Sequence, residues 1–548
     1  MTYPSRLDNN PAPVLPSPNR PIKTRVNPRS AEYQANREAN LALLAMLDEH
    51  LKSARFEGKE QHLAKARKLG KFTARERIEL LLDPDTPFLE LLPLAGLGGD
   101  GFGPGGTSVG GMGLVCGRLV MVIANVGTRK GGAVDYATLQ KALRLNEIAM
   151  ENQLPVVSLV ESSGANLPEQ ARIFNYGGAS FRDITRRSKA GLPNIAIVFG
   201  NSTAGGAYVP GMSDYAIFVD GGAKVFLAGP PLVKMATGED VDDESLGGAA
   251  MHSRVSGVSD YLARDERDAI RLAREIVGGL PSGASPVKSA AEEPLYAAEE
   301  LLGILSPDLK KPLDMREVIA RVCDGSRFSE FKPEYGPTLI TGFAELNGYP
   351  VGILANNGVL FSEAANKGAH FIQLCNQRNH PILFFQNITG FMVGKDYEEG
   401  GIIKHGAKLI NAVSNSEVPA ITLMMGASYG AGNYAMAGRA YQPRFLFSYP
   451  HSRTAVMGPE QLSGVMQSIQ REAALKAGIP YDEEQGAQMR TYMMKEVEKK
   501  SDAWYSTGQL WDDGIIDPRQ TRNYLGFCLE VINQHPFKGS SGYGVFRM

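Results

Sequence analysis

Gly200-Asn-Ser-Thr-Ala-Gly205-Gly206-Ala207-Tyr208 follows directly on the apolar run Ile195-Ala-Ile-Val-Phe199. The run reads as a buried strand, and the glycines read as a turn that opens a helix. The same device returns 226 residues later. Ile421-Thr-Leu-Met-Met425 leads into Gly426-Ala-Ser-Tyr-Gly430-Ala431-Gly432-Asn433-Tyr434.

The repetition extends outward. Pro155-Val-Val-Ser-Leu-Val-Glu-Ser-Ser-Gly164 aligns with Pro381-Ile-Leu-Phe-Phe-Gln-Asn-Ile-Thr-Gly390, also at an offset of 226. Val122-Ile-Ala-Asn-Val-Gly127 aligns with Ile353-Leu-Ala-Asn-Asn-Gly358 at 231, and Arg75-Glu76 with Arg316-Glu317 at 241. Offsets that drift in one direction are what loop insertions and deletions leave behind after a duplication. Short apolar runs, glycine clusters and helical stretches alternate from residue 72 onward, an α/β signature. We read a proline-rich arm, disordered or draped, over 1–30. The two halves are 31–300 and 301–548, with a Pro/Ser/Ala/Glu-rich linker over 280–300. Residues 31–70 read as helix from Leu41, Leu43, Leu44, Leu47 and Leu51.

The chain has 548 residues, with Lys+Arg 57 against Asp+Glu 59. A net charge of −2 disfavours a nucleic-acid binder driven by counterion release. No apolar stretch is long enough to span a membrane. The cysteines Cys116, Cys323, Cys375 and Cys528 are far apart, without paired spacing, so a zinc ribbon, an iron–sulfur site or a disulfide framework is not expected. Histidines show no ligating pairs, and no metal site is expected. Glycine, at 61 residues, is well above its usual share of roughly 7%.

A turn that opens a helix leaves backbone N–H groups unpaired, and glycine lets them approach a ligand. An anion suits such a site, either a bound phosphate or a transient oxyanion. The alternative is that these glycines only permit tight packing. Gly426-Ala427-Ser428-Tyr429-Gly430 also fits the nucleophile elbow of a serine hydrolase, with His451 or His535 and Asp482 or Asp512 downstream. His252 is a candidate proton shuttle or a locally bonded side chain. Lys130, Lys224, Lys234 and Lys395 lie near glycines and could hold phosphates.

Several blocks resemble the carboxyltransferase (β) subunit of biotin-dependent acyl-CoA carboxylases. These are Thr73-Ala-Arg-Glu-Arg-Ile78, Ser202-Thr-Ala-Gly-Gly-Ala-Tyr-Val-Pro-Gly-Met-Ser-Asp214, Phe226-Leu-Ala-Gly-Pro-Pro-Leu-Val-Lys234, Ser428-Tyr-Gly-Ala-Gly-Asn-Tyr434 and Pro443-Arg-Phe445. The resemblance runs from Phe72 to about Asn533 and is strongest toward the 3-methylcrotonyl-CoA and geranyl-CoA members, then the propionyl-CoA members.

It implies two tandem crotonase-like ββα-spiral domains of α/β class. It implies transfer of CO2 from carboxybiotin to the enolate of an acyl-CoA, with two oxyanion holes. Gly205 and Gly206 would serve the thioester oxygen, with Ala207, Ser163, Gly164 and Phe181 around the substrate. Gly432 and Asn433 would hold the ureido oxygen of biotin, with Phe391, Ala431 and Tyr434 alongside. The chain lacks a biotinylation motif: Met493-Met-Lys-Glu496 does not supply one. It also lacks an ATP-binding glycine loop. The implied partner is therefore an α subunit with biotin carboxylase and biotin carrier domains, in a complex built on a β hexamer. The implied location is cytoplasmic, or the mitochondrial matrix in a eukaryote. A decarboxylase of the same fold is an alternative, and the acyl group stays open.

Overall fold

A computed structural model describes residues 21–280 and 288–547. Two sheets carry the architecture. The first joins β1 (Leu89–Glu90), β2 (Ser108–Val115), β3 (Arg118–Asn125), β4 (Val156–Ser162), β5 (Asn194–Thr203), β6 (Tyr215–Val219), β7 (Lys224–Phe226) and β8 (Tyr261–Ala263). The second joins β9 (Ser329–Glu330), β10 (Leu339–Leu346), β11 (Tyr349–Asn356), β12 (Ile382–Ile388), β13 (Ala420–Tyr429), β14 (Phe445–Ser448) and β15 (Arg453–Ala455). Each opens with an antiparallel hairpin and continues in parallel through helical crossovers. Parallel strands covered on both faces are apolar throughout rather than alternating. Residues 195–199 obey this, and so do 421–425 except Thr422, whose hydroxyl donates to the Ala437 carbonyl; all are almost wholly inaccessible to solvent.

The duplication reaches individual hydrogen bonds. Cys116 and Gly117 take left-handed φ values of 50° and 72° at the first hairpin tip, and Asn347 and Gly348 take 50° and 79° at the second. Asp83 accepts from the N–H groups of Cys116 and Gly117, and Asp324 accepts from those of Asn347 and Gly348. Arg274 then pairs with Asp83, and Arg522 with Asp324. Likewise Arg75 pairs with Glu90, and Arg316 with Glu330.

One feature of the register places the turns. β4 and β5 pair in step from Val156↔Asn194 to Val160↔Val198, then slip so that Ser162 meets Ser202. β12 and β13 slip at the same place, between Gln386↔Met424 and Ile388↔Ser428. Past the slip each long strand changes partner. β5 leaves β6 and pairs with β7, and β13 leaves β14 and pairs with β15. The strand therefore bends away from the sheet before the turn begins. The sequence reading began both turns at the first glycine, but the strands run on to Thr203 and Tyr429. Gly200 and Gly426 serve the slip itself: a β-carbon there would collide with Glu161 Oε1 or with Asn387 Oδ1.

The stretch read as one helix over 31–70 is two, Ala31–Ala54 and Glu60–Lys68. Gly58 separates them at φ 141°, where a β-carbon would strike the Thr128 carbonyl. Asn36 and Asn40 fasten the first helix to the second half by donating to the carbonyls of Gly303, Leu302 and Leu305. Of the expected arm, residues 1–20 lie outside the described residues. The rest drapes along the second half: Ile22 N–H donates to Ser326 O, and Arg25 N–H to Glu317. The linker reading over 280–300 falls partly on 281–287, also outside the described residues. One apolar cluster spans the halves, from Met112, Met121 and Leu145 to Phe385, Ile421 and Phe447. No helix among the described residues is long and apolar enough to cross a membrane.

Candidate active site

In the first half the chain leaves β5 through Ala204, whose φ of 53° is left-handed. Its repeat counterpart Gly430 has φ 56°. The same sharp turn follows the same bent strand in both halves, although only one of them has a glycine at the strained position. A non-glycine residue held there is costly and persists only where its surroundings enforce it. A short helical turn, Ala204–Ala207, follows in the first half, and Gly430–Ala435 in the second. The leading N–H groups of each have no partner within their own turn.

The glycines of these turns separate into two kinds. A β-carbon on Gly206 would lie 3.6 Å from Ser202 Oγ, an ordinary contact, and one on Gly205 would lie 3.3 Å from Phe181 Cζ. Neither glycine has a left-handed φ. Packing within the chain therefore does not demand glycine at 206. Gly432 is different, because a β-carbon there would lie 2.6 Å from Ile388 Cγ1 and 3.3 Å from Gly390 Cα. Packing by itself thus accounts for a glycine at 432 and not for the one at 206.

Serine hydroxyls set both turns. Ser202 Oγ donates to the Gly206 carbonyl at 2.9 Å. Ser428 Oγ donates to Gln386 Oε1 at 2.5 Å and accepts from Asn433 Nδ2 at 2.7 Å. Gln386 Nε2 in turn donates to the Met436 carbonyl. The Asn433 side chain is thus committed inward, leaving only its backbone to face a ligand. Ser428 is wholly buried, and no hydrogen bond links it to a histidine among the described residues. The serine-hydrolase reading fails here, since the hydroxyl is engaged inside the turn. Burial also holds the His451 imidazole down at about 4, and Asp482 is occupied capping the helix Glu483–Ser501.

The other expected site residues gather round these turns. Gly164, at φ 90°, lies against Thr203 and Ala204, and Ser163 N–H donates to Gly131 O. The Phe181 ring stands edge-on to Tyr208 at 5.6 Å. Ala207 is buried beneath the first turn. On the second side, Ala431 is exposed, Tyr434 is half exposed beside Tyr441, and the Phe391 ring lies against Gly406. His252 is engaged locally, with Ser256 Oγ at 2.6 Å and the Val225 carbonyl at 2.7 Å. Lys224, Lys234 and Lys395 each face a carboxylate, from Asp243, Asp240 and Glu399.

Lys130 stands in a cleft of about 590 Å³ whose walls include Lys59, His62, Lys65, Lys71 and Arg129. Its one acid, Glu161, is already paired with Lys71 and Arg77. Lys59, Lys65 and Lys130 have no carboxylate partner among the described residues. Lys130, Gly131 and Gly132 take successive left-handed φ values of 52°, 64° and 67°. The Gly132 and Ala133 N–H groups close this turn on the Arg129 and Lys130 carbonyls, so it is the cationic side chains of the cleft that suit an anion. Of this cleft, the sequence reading singled out only Lys130. Lys59 and Lys65 are assembled by the break at Gly58, which helical periodicity had hidden. No group of three or more His, Cys, Asp or Glu side chains capable of holding a metal occurs among the described residues.

Residues 65–540 match the carboxyl transferase domain family, and the chain belongs to it. The chain is 55% identical over 532 residues to a probable biotin-dependent acyl-coenzyme A carboxylase beta2 subunit of Mycobacterium tuberculosis, covering 96% of this chain and 100% of that protein. It is 48% identical over 550 residues to a probable mitochondrial methylcrotonoyl-CoA carboxylase beta chain of Drosophila melanogaster, covering 96% and 95%. Among solved structures it superposes on the beta subunit of P. aeruginosa geranyl-CoA carboxylase with a TM-score of 0.89 at 44% identity, covering 96% and 99%. The fold is accordingly the crotonase-like, two-domain carboxyltransferase fold.

Proposed function

We propose that this chain is the carboxyltransferase component of a biotin-dependent acyl-CoA carboxylase and transfers a carboxyl group to the enolate of a branched or unsaturated acyl-CoA, such as 3-methylcrotonyl-CoA. The observation that carries this reading is the pair of bent-strand turns, one in each half. The reaction develops negative charge on two oxygens, and two sets of preorganised main-chain donors match that need.

In this reading residues 31–300 form the acyl-CoA side. The N–H groups of Gly205 and Gly206 hold the thioester oxygen as it becomes an enolate, and Ser202 keeps the turn in shape. Gly206 admits the thioester because no β-carbon stands over its amide. Ser163, Gly164, Ala207 and Phe181 border the acyl group. Residues 301–548 form the biotin side. Biotin, carried there by a partner α subunit, supplies the carboxyl group. The N–H groups of Gly432 and Asn433 point at its ureido oxygen, with Ala431, Tyr434 and Phe391 around the ring. The Asn433–Ser428–Gln386 chain of hydrogen bonds fixes that turn. The cationic cleft at Lys59, Lys65 and Lys130 would take the phosphates of coenzyme A. Its link to the acyl site is Gly131, which accepts from Ser163. The relatives are named as beta subunits and two are mitochondrial or mycobacterial; a β hexamer in a soluble compartment fits this reading.

The test is ATP- and bicarbonate-dependent carboxylation by the chain purified with its α partner, across 3-methylcrotonyl-, geranyl-, propionyl- and acetyl-CoA. Product on a branched unsaturated thioester is expected. No product on any, with an α subunit that is biotinylated and hydrolyses ATP, would overturn the assignment. For the cleft, Lys65→Glu with Lys130→Glu should raise KM for the acyl-CoA at least tenfold and leave KM for the matching acyl-pantetheine unchanged.

A further inference from the structure

Gly438, Arg439 and Asp513 form a connected path from the biotin-side turn to the seam between the halves. Gly438 N–H donates to the Asn433 carbonyl at 2.9 Å. A β-carbon on Gly438 would collide with Asn433 Oδ1, so this segment lies directly against the turn. The next residue, Arg439, donates from Nε to the Trp511 carbonyl at 3.1 Å and from Nη2 to Asp513 Oδ1 at 2.8 Å.

Asp513 is completely buried and gathers four donors from three elements. Arg144, on the first-half helix Tyr136–Glu151, donates Nε at 2.9 Å and Nη2 at 3.1 Å. Arg439 Nη2 comes from the loop behind the turn, and Leu446 N–H at 2.9 Å comes from β14. The backbone of Asp513 is fixed as well: its N–H donates to Leu446 O, and its carbonyl accepts from Leu92 N–H. One carboxylate therefore ties the loop behind the second turn to a strand of its own sheet and to a helix of the other half. A planar guanidinium held at two edges transmits position better than a flexible ammonium, because its fork allows few geometries. At the repeat offset of 226 the first-half counterpart of Arg439 is Ser213, whose hydroxyl only donates to the Val209 carbonyl within its own turn.

We propose that Arg439, held by Asp513, is the positioning residue of the biotin-side turn, setting the Gly432 and Asn433 amides without touching either reactant. The proposal rests on the carboxyltransferase reading for its kinetic consequence, but not for its structural one.

The test uses the full chain with its α partner and Arg439→Gln, which cuts the Asp513 link while leaving Arg144 on the carboxylate. Hydrogen–deuterium exchange should accelerate at least tenfold in peptides covering 430–438 and stay unchanged in those covering 204–208. In biotin-dependent transfer with free biotin, KM for biotin should rise at least tenfold, while KM for the acyl-CoA moves less than twofold. Arg439→Lys, which keeps the charge but not the fork, should recover only part of that loss. Unchanged exchange over 430–438, or equal rises in both KM values, would overturn the proposal. A wild-type enzyme inactive on every acyl-CoA would overturn the functional reading, and the exchange experiment would still decide the role of Arg439. If Arg439→Gln does not fold, Arg439→Lys carries both measurements.

Discussion

Gly206 and Gly432 stand at the same repeat position, yet a methyl group would meet different surroundings at each. At Gly206 it would make an ordinary contact with Ser202, and at Gly432 it would collide with Ile388. Gly206→Ala should therefore keep its thermal midpoint within a few degrees and lose about 10²–10³-fold in kcat, the usual cost of one blocked oxyanion donor. A folded, fully active Gly206→Ala would overturn the first oxyanion site. Gly432→Ala should lose stability too, and Ile388→Ala in the same chain should return part of the melting temperature without the activity. Both glycines were legible in the sequence, but their difference was not, because it depends on which side chain the neighbouring strand delivers. Glu151 adds a pH effect. Burial raises its carboxyl to about 7, and Oε2 has no hydrogen-bond partner. The folded state holds this proton more tightly than the unfolded chain. The stability it favours is thus complete below the ordinary carboxyl value of about 4.5 and is lost as pH rises through about 7. Glu151→Gln should flatten the fall in melting temperature between pH 5 and 8; an unchanged slope would exclude Glu151 as its source.

Strands and turns explain why so much of the fold was readable. Two apolar strands followed by glycines, met twice in register, identify parallel crossover units, and each offset in the sequence reappears as an offset between paired elements. Periodicity fails where the backbone slips. Past the place where the strand changes partner, β5 and β13 run on through Gly200-Asn-Ser-Thr203 and Gly426-Ala-Ser-Tyr429, which carry no apolar pattern to reveal a strand. Gly58 likewise breaks one helical pattern into two without disturbing its spacing. The hairpin clamps provide an element-scale test. Asp324 is wholly inaccessible and ties the tip at Asn347 and Gly348 to Arg522. Asp324→Ala leaves Arg522 buried without its carboxylate and should lower the melting temperature markedly. Asp83→Ala, at a more exposed clamp, should lower it less; the reverse order, read by calorimetry, would contradict this ranking of the two tips.

Across the whole molecule the halves are duplicates in plan but not separable in energy. They share a core cluster, and Arg144 of one is paired inside the other. Residues 31–280 expressed alone should be insoluble or should melt without a cooperative transition, and co-expression with 288–548 should restore both solubility and cooperativity. A cooperative, stable first half would show the shared cluster to be dispensable. That dependence between halves was invisible in the sequence, since Arg144 and Asp513 lie far apart and neither belongs to a repeat block. Asp513 supplies its own acid signature. The two guanidiniums beside it hold its carboxyl down at about 2. Its contribution is present above the ordinary value of about 3.8 and is lost as pH falls toward 2.

The two turns also rest on different foundations. Beneath the strand slip of the first half lies a charged lattice, in which Glu161 binds Lys71 and Arg77, and Arg77 also binds Glu266 and faces the Phe199 ring. In the second half the Glu161 position is Asn387, which accepts from Ala427 N–H, and the Arg77 position is Val318, a core residue. A crossover between the two copies of the gene segment would exchange a carboxylate for an amide while leaving its cations behind, stranding Arg77 without one of its counter-ions. The copies are thereby locked against homogenisation, each free to drift only within its own electrostatic setting.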